Sequence, residues 1–342
     1  MKLETTNAFV VRDFDNDIPA FGIVRSAPKV LQGGAKELAR SQSYQCAVFN
    51  MRCQGASAAV NAAPDERDAA VAAFVEELLP LVSGGALMLD PGKGVTDAML
   101  DALFESDPRD PALRRPVDGL SNRNHLIGLG AAACADAARS LDSATVAIEH
   151  FEVSGPAIAS AVSARGARIT AVGTSKGTAL HPDGFDPLAL REALASHGPD
   201  MINEFVDEPL PAWQVLGAEV DVLFAGSKMG VISHQNAPQV KAPLFVPSAA
   251  IPYTTKGALV LESQGTTVLP DIVTTAGGLF ASLPPAGNQQ DEIEASVLEL
   301  LPALTEQVIG NDDIAVLEAC YRAESFLKTW RDEMPFGRPF AP

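Results

Sequence analysis

The sequence predicts an α/β chain of two domains, the second built on a doubly wound parallel sheet. Three observations carry this. From Thr145 onward the chain alternates short apolar runs with turns and helical stretches, the rhythm of strands joined by crossover helices. Its 342 residues, 47% of them hydrophobic, provide material for two cores. The tail from Asp291 to Arg331 carries apolar residues at helical spacing, suited to a C-terminal segment that packs back over the domain junction.

Taken in order, Ala8-Phe9-Val10-Val11 and Phe21-Gly22-Ile23-Val24 read as strands, with a helix from Gly34 to Tyr44. Asp65 to Val82 is helical, since Ala69, Ala70, Ala73, Phe74, Leu78 and Leu81 recur three or four residues apart. The strand Ala86-Leu87-Met88-Leu89 runs into Asp90-Pro91-Gly92-Lys93-Gly94, and helix resumes at Thr96 behind a Thr/Asp cap. Asp107 to Asp118, rich in proline and charge, reads as a surface connection. The alanine-rich stretch Leu126 to Leu141 is a helix whose small residues suit close packing. Strands at Thr145–Ile148 and Arg168–Val172 flank a helix from Gly155 to Arg165. Further strands fall at Asp221–Phe224, Leu244–Val246 and Thr267–Leu269.

Acidic residues outnumber basic ones 43 to 25, for a formal charge of −18. No basic stripe is available for a nucleic acid, and the acidity fits a solvated surface. Cys46, Cys53, Cys134 and Cys320 form no CxxC, which favours reduced, buried thiols in a cytoplasmic protein over a disulfide framework or a zinc cluster. No metal-ligand pattern stands out. No apolar run approaches the roughly 18 residues of a membrane span, and Met1-Lys2-Leu3-Glu4-Thr5 opens no apolar targeting segment.

Several blocks carry a resemblance. Tyr44-Gln45-Cys46-Ala47 is followed by Gln54-Gly55-Ala56-Ser57-Ala58-Ala59-Val60. Further on come Ala171-Val172-Gly173-Thr174-Ser175-Lys176-Gly177 with Pro182-Asp183-Gly184-Phe185-Asp186, and Asp221-Val222-Leu223-Phe224-Ala225 with Val231-Ile232 and Asn236-Ala237. Pro270-Asp271-Ile272-Val273-Thr274-Thr275-Ala276-Gly277-Gly278 completes the set. Over residues 20–330 these blocks resemble the glutamate/leucine/phenylalanine/valine dehydrogenase superfamily. The resemblance implies an N-terminal α/β substrate and oligomerisation domain over 1–138. It also implies a Rossmann-like doubly wound domain over 139–295, and C-terminal helices over 296–342 that return to the junction. A homo-oligomer acting on a small molecule is expected.

In that family the first block carries two lysines, one holding the substrate carboxylate and one activating water at the imine carbon. Here those positions read Gln45 and Ser57, neither of which carries a positive charge. Asp90, 33 positions after Ser57, matches the family's catalytic aspartate, although an aspartate before proline also serves as a turn or cap residue. Lys93 sits three residues on as a replacement cation or an exposed loop lysine. Arg25, Arg123 and His125 are candidates for the substrate; with His150, the last two would meet in one interdomain crevice. Gly33-Gly34-Ala35-Lys36 imitates the family's lysine motif but precedes Tyr44, and more simply opens a helix.

The resemblance also implies NAD or NADP. Its Gly-x-Gly-x-x-Gly turn aligns with His150-Phe151-Glu152-Val153-Ser154-Gly155, where Gly155 alone survives. His150 removes the glycine of the tight turn. Glu152 sets a carboxylate against the pyrophosphate unless it turns away. At the ribose position stands Thr174, with Ser175 and Lys176 behind it as contacts for a 2′-phosphate, or simply as surface. Thr275 replaces an asparagine of the family. Binding of NAD or NADP is therefore expected to be weakened or lost. Three functions remain open: a divergent dehydrogenase-family enzyme acting on a small carboxylate or amino compound, which the family resemblance favours; a lyase, isomerase or hydrolytic enzyme on the same fold; and a non-catalytic ligand-binding or subunit-stabilising protein, the last two favoured by the replaced glycines.

Overall fold

The structure, a computed structural model, describes residues 1–14, 17–311, 313–334 and 337–341. The chain divides into two compact units: Met1–Pro111 with Cys320–Phe340, and Ala112–Ala319 with Ala341.

In the first unit, strands β1 (Ala8–Arg12), β2 (Ala20–Ala27), β3 (Gln54–Asn61) and β4 (Leu87–Pro91) form a sheet in the order β1-β3-β2-β4. β2, β3 and β4 are parallel, and β1 runs antiparallel to β3. Helix α1 (Gln32–Val48) connects β2 to β3, and α2 (Arg67–Ser83) connects β3 to β4. Both faces are covered, which is why Gly55 to Val60 reads as one buried run rather than an alternation. One face packs Val24, Ala56, Ala58, Leu87 and Leu89 on Phe74, Leu78 and Val82 of α2. The other lies under α1, where Ala35 packs on Phe9 and Ala59. Here the Gly55 N–H donates to the Ser43 hydroxyl at 2.8 Å, and any side chain at Gly55 would strike the Ala39 carbonyl. Gly33-Gly34-Ala35-Lys36 lies in the first turn of α1.

Beyond β4 the expected helix at Thr96 is a single 3₁₀ turn, Ala98–Leu100, leading into the short helix α3 (Asp101–Ser106). Asp97 makes no side-chain cap bond that would start a helix earlier.

The second unit opens with α4 (Asn122–Ala138), capped by the Ser121 hydroxyl. The expected first domain ended at residue 138, but α4 packs on elements that follow it. Gly128 faces Ala157 at a spacing that admits no side chain, and α4 is buried nearly all round, as its even spread of small apolar residues requires.

The sheet of this unit holds β5 (Thr145–Ile148), β6 (Arg168–Gly173), β7 (Thr178–Phe185), β8 (Val222–Ala225), β9 (Leu244–Pro247) and β10 (Thr267–Val268). Their order is β10-β9-β8-β5-β6-β7. Five strands are parallel; β7 is antiparallel to β6. The sheet is thus mixed, not purely parallel. β7 escapes a sequence reading because Pro182 and Gly184 demote it, yet an edge strand tolerates both. Helices α5 (Gly155–Ser163), α6 (Pro187–His197), α7 (Thr255–Ser263), α8 (Asp271–Thr274) and α9 (Gly277–Phe280) follow, and α10 (Gln290–Ile309) packs on α4. In α11 (Ala315–Leu327), residues from Cys320 on belong to the first unit. There Glu324 pairs with Arg338 at 2.7 Å and accepts the Tyr44 hydroxyl at 3.2 Å. Among the described residues no helix is long and apolar enough to cross a membrane. All four cysteines are buried and none is in a disulfide.

Candidate functional site

Parallel pairing aligns Ser57, Ile23 and Asp90 in one row across β3, β2 and β4, on the face that α1 covers. Arg25 stands one pleat further along β2 on the same face. Its Nη1 donates to the Ser57 hydroxyl at 3.3 Å. Ser57 is only 2% exposed, so its hydroxyl is a fixed polar group. Gln45, in the last turns of α1, is buried too and accepts from Gln42 at 2.9 Å. Both positions are neutral.

Asp90 is buried. It lies within β4 and meets Arg109, with Oδ1 2.9 Å from Nη1. Arg109 also holds Asp107 at 2.6 Å and donates to the Leu89 carbonyl at 3.2 Å. Its guanidinium carbon lies 5.9 Å from the Phe21 ring centre. Burial disfavours the charge on Arg109, but the carboxylates of Asp90 and Asp107 outweigh it and raise its pKa above the ordinary guanidinium value. The start of the supposed surface connection is therefore interior. Sequence reasoning missed Arg109, whose one signal was the need of a buried aspartate at position 90 for a cation. Lys93 is exposed, and its carbonyl accepts the Ser26 N–H at 2.9 Å.

In the second unit a turn leads from β5 into α5. His150 takes the left-handed conformation, φ 56°, in which a non-glycine residue is strained by about 1–3 kcal/mol. Gly155 has no substitute, because a Cβ there would come within 2.7 Å of the Phe151 ring. Glu152 turns sideways: its Oε1 accepts the Ser175 N–H at 2.8 Å, and Oε2 lies 3.4 Å from His150 Nδ1. Burial alone would raise the Glu152 pKa, but His150 and the Ser175 amide prevail and push it down to about 2. Glu149, which the sequence reading passed over, accepts from the backbone of both Gly226 and Ser227 at 2.9 Å.

Thr174 is buried and its hydroxyl donates to the Pro199 carbonyl at 2.8 Å, while Ser175 and Lys176 are exposed. The Thr275 hydroxyl donates to the Asp271 carbonyl at 2.7 Å within its own turn. Arg123 reaches the same neighbourhood, donating to the Gly278 carbonyl at 3.1 Å. His125 and His150 keep different partners. His125 Nε2 lies 3.0 Å from Glu294 of α10. Its ring lines a cavity of about 200 Å³ with Leu129, Pro156 and Arg191, walled by α4, α5 and α6. Among the described residues no three His, Cys, Asp or Glu side chains gather as a metal ion would need.

The first unit thus sets a guanidinium beside a hydroxyl on a rigid sheet, a pairing of the kind that grips a carboxylate. The second offers a turn and helix N-terminus of the kind that receives phosphates, crossed by two carboxylates.

Comparison with known proteins agrees with this architecture. Over residues 119–297 the chain matches the Glutamate/Leucine/Phenylalanine/Valine dehydrogenase family model. NAD-specific glutamate dehydrogenase A of Halobacterium salinarum is 25% identical over 285 residues, covering 77% of this chain and 65% of that protein. NADP-specific glutamate dehydrogenase A1 of the same organism is 30% identical over 179 residues, covering 49% and 43%. The chain thus spans less than two thirds of the length of either. Glutamate dehydrogenase B, also from H. salinarum, is 27% identical over 337 residues, covering 89% and 77%. Among solved structures, the hetero-hexameric glutamate dehydrogenase of Thermus thermophilus in its Leu-bound form superimposes with a TM-score of 0.77. It is 22% identical, covering 96% of this chain and 90% of that one. Glutamate dehydrogenase of Plasmodium falciparum gives 0.73 at 14% identity, covering 95% and 83%. These two structures share the fold. With more than half its length matched to the family model, the chain belongs to the Glutamate/Leucine/Phenylalanine/Valine dehydrogenase family.

Proposed function

We propose that this chain is a divergent member of the family that binds a small carboxylate or amino compound beside Arg25 and Ser57 and is not a conventional oxidative deaminase. The observation that carries the reading is the row Ser57–Ile23–Asp90. Deamination needs a base that can take a proton from water near neutral pH. In this row Ser57 is a buried hydroxyl bonded to Arg25, and Asp90 is engaged by Arg109. Gln45 cannot supply the ammonium that the family places against a substrate carboxylate. Arg25 is the nearest substitute for that task, since its planar fork suits a carboxylate. Relatives named for NAD and NADP support a dinucleotide as the ancestral cofactor. His150 and Glu152 in the glycine turn argue for weakened binding here.

The test is initial-rate measurement with glutamate, leucine, phenylalanine and valine, each with NAD and with NADP. Turnover well below about 1 per second is expected for every pair. Ordinary enzymatic turnover with any of them overturns the reading.

A second reading follows from the same neutral positions and from the hetero-hexameric Thermus relative: a non-catalytic subunit that assembles with a catalytic chain. It is favoured if this chain forms a mixed oligomer with a family member that carries both lysines and alters that member's rate. It is excluded if the purified chain alone turns over any small carboxylate or amino compound.

A further inference from the structure

In the second sheet, β5 lies between β6 and β8, and the chain order reverses there. Open α/β sheets take their ligands beyond the carboxyl ends of the strands at such a point. Three backbone N–H groups are presented just beyond these ends: Ser175 after β6, and Gly226 and Ser227 after β8. Consecutive amides aimed at one point make an anion site. All three are already engaged by carboxylates from the turn after β5. Glu149 Oε2 takes Gly226 and Ser227 at 2.9 Å each. Glu152 Oε1 takes Ser175 at 2.8 Å, and its other oxygen, buried and without a hydrogen-bond partner, lies 3.4 Å from His150 Nδ1. His150 has a left-handed backbone, so the turn keeps the path that suits a phosphate while its own side chains supply the negative charge. Both glutamates donate nothing and accept through ionised oxygens, the same chemistry a phosphate would bring.

We propose that Glu149 and Glu152 are internal ligands of this strand edge: they occupy the anion-binding amides after β6 and β8 and exclude a nucleoside diphosphate from the wild-type chain. This rests on the reading that dinucleotide binding is weakened, and adds its cause. A pyrophosphate approaching the N-terminus of α5 meets two fixed negative charges where it would otherwise meet N–H groups. The defect is thus an occupied site, not a missing one, and removing the carboxylates uncovers it.

The experiment measures ADP-ribose binding by calorimetry to the full chain, to Glu149→Ala/Glu152→Ala, and to Glu149→Gln/Glu152→Gln. The alanine pair frees the amides and is expected to bind at least about tenfold more tightly than wild type, a difference of about 1.4 kcal/mol. The glutamine pair keeps an acceptor on each amide but loses both charges, and is expected to fall between. It also carries the test if the alanine pair does not fold, since its hydrogen bonds are preserved. A folded variant that gains no affinity, beside a wild type that does not bind, overturns the internal-ligand proposal alone. Micromolar binding by the wild type overturns both this proposal and the reading of weakened dinucleotide binding.

Discussion

Asp90 Oδ1 and Arg109 Nη1 lie 2.9 Å apart, with both side chains more than nine-tenths covered. Asp107 completes the group from the other side of the same guanidinium, at 2.6 Å. One arginine therefore compensates two interior carboxylates. Arg109→Met strands both, and removing one partner of a buried pair costs about 3–5 kcal/mol. Asp90→Asn keeps a polar contact and leaves Asp107 in place, so its cost is smaller, about 1–3 kcal/mol. Urea midpoints should rank wild type above Asp90→Asn and Asp90→Asn above Arg109→Met. If Asp90→Asn left the midpoint unchanged while removing a measured activity, Asp90 would be a reacting group after all.

The resemblance implies a lysine at the position of Ser57, yet Arg25 already lies 3.3 Å from the Ser57 hydroxyl. Ser57→Lys would set an ammonium against that guanidinium in a buried place. Two like charges about 4 Å apart repel by about 1–4 kcal/mol between bulk-water and near-surface dielectric conditions. The single substitution is expected to lower the melting temperature by several degrees and to restore no deamination. Pairing it with Arg25→Ala should recover much of the loss. A Ser57→Lys protein as stable as wild type would mean that Arg25 moves aside without cost.

How much of this was legible in the sequence depends on the range of the interaction. The parallel strands announce themselves through short apolar runs, α2 through helical spacing and α4 through its alanine content, and the helix-opening role of Gly33 and Gly34 follows from their place before Tyr44. Pairing across strands is different. That Ser57 and Asp90 share a row is fixed by the register of β3 and β4 on β2, which no spacing reveals. Arg109 sits among prolines and charges that look solvated, and its contacts with Asp90, Asp107, the Leu89 carbonyl and the Phe21 ring make it interior. Glu149 bonds to residues 77 and 78 positions away. The left-handed turn at His150 was hidden because a histidine in the sequence does not announce a positive φ.

Asp271 and Tyr253 form a second buried polar joint. The tyrosine hydroxyl donates to Asp271 Oδ1 at 2.9 Å and accepts the Asp271 N–H at 3.2 Å. Asp271 Oδ2 takes the N–H of Ile251 at 2.7 Å, where a β-branched residue is held at φ 43°. Tyr253→Phe removes two bonds at once in a place where Asp271 is 2% exposed. The expected loss is about 1–3 kcal/mol, the cost of leaving a buried polar group unsatisfied. Denaturant midpoints of the two proteins give the figure; equal midpoints would mean that water replaces the hydroxyl.

Glu152 gives a pH signature with a definite sign. Burial opposes its charge, but His150 and the Ser175 amide hold its pKa near 2, below the ordinary value of 4.5. A carboxylate depressed by folding contributes stability that is fully present above the unfolded value and is lost as pH falls toward the folded one. The contribution should therefore be constant at neutral pH and fade between about 4.5 and about 2. Glu152→Gln lacks it throughout. The gap in stability between wild type and this variant is expected to narrow as the pH is lowered from about 6 to about 3. A gap that stays constant or widens over that interval would mean that the fold leaves the Glu152 carboxyl unperturbed. The side-chain carboxyl carbon of Glu152, followed by NMR in labelled protein, reports the same quantity directly: a titration midpoint at the ordinary glutamate value would detach Glu152 from His150 and Ser175 in solution.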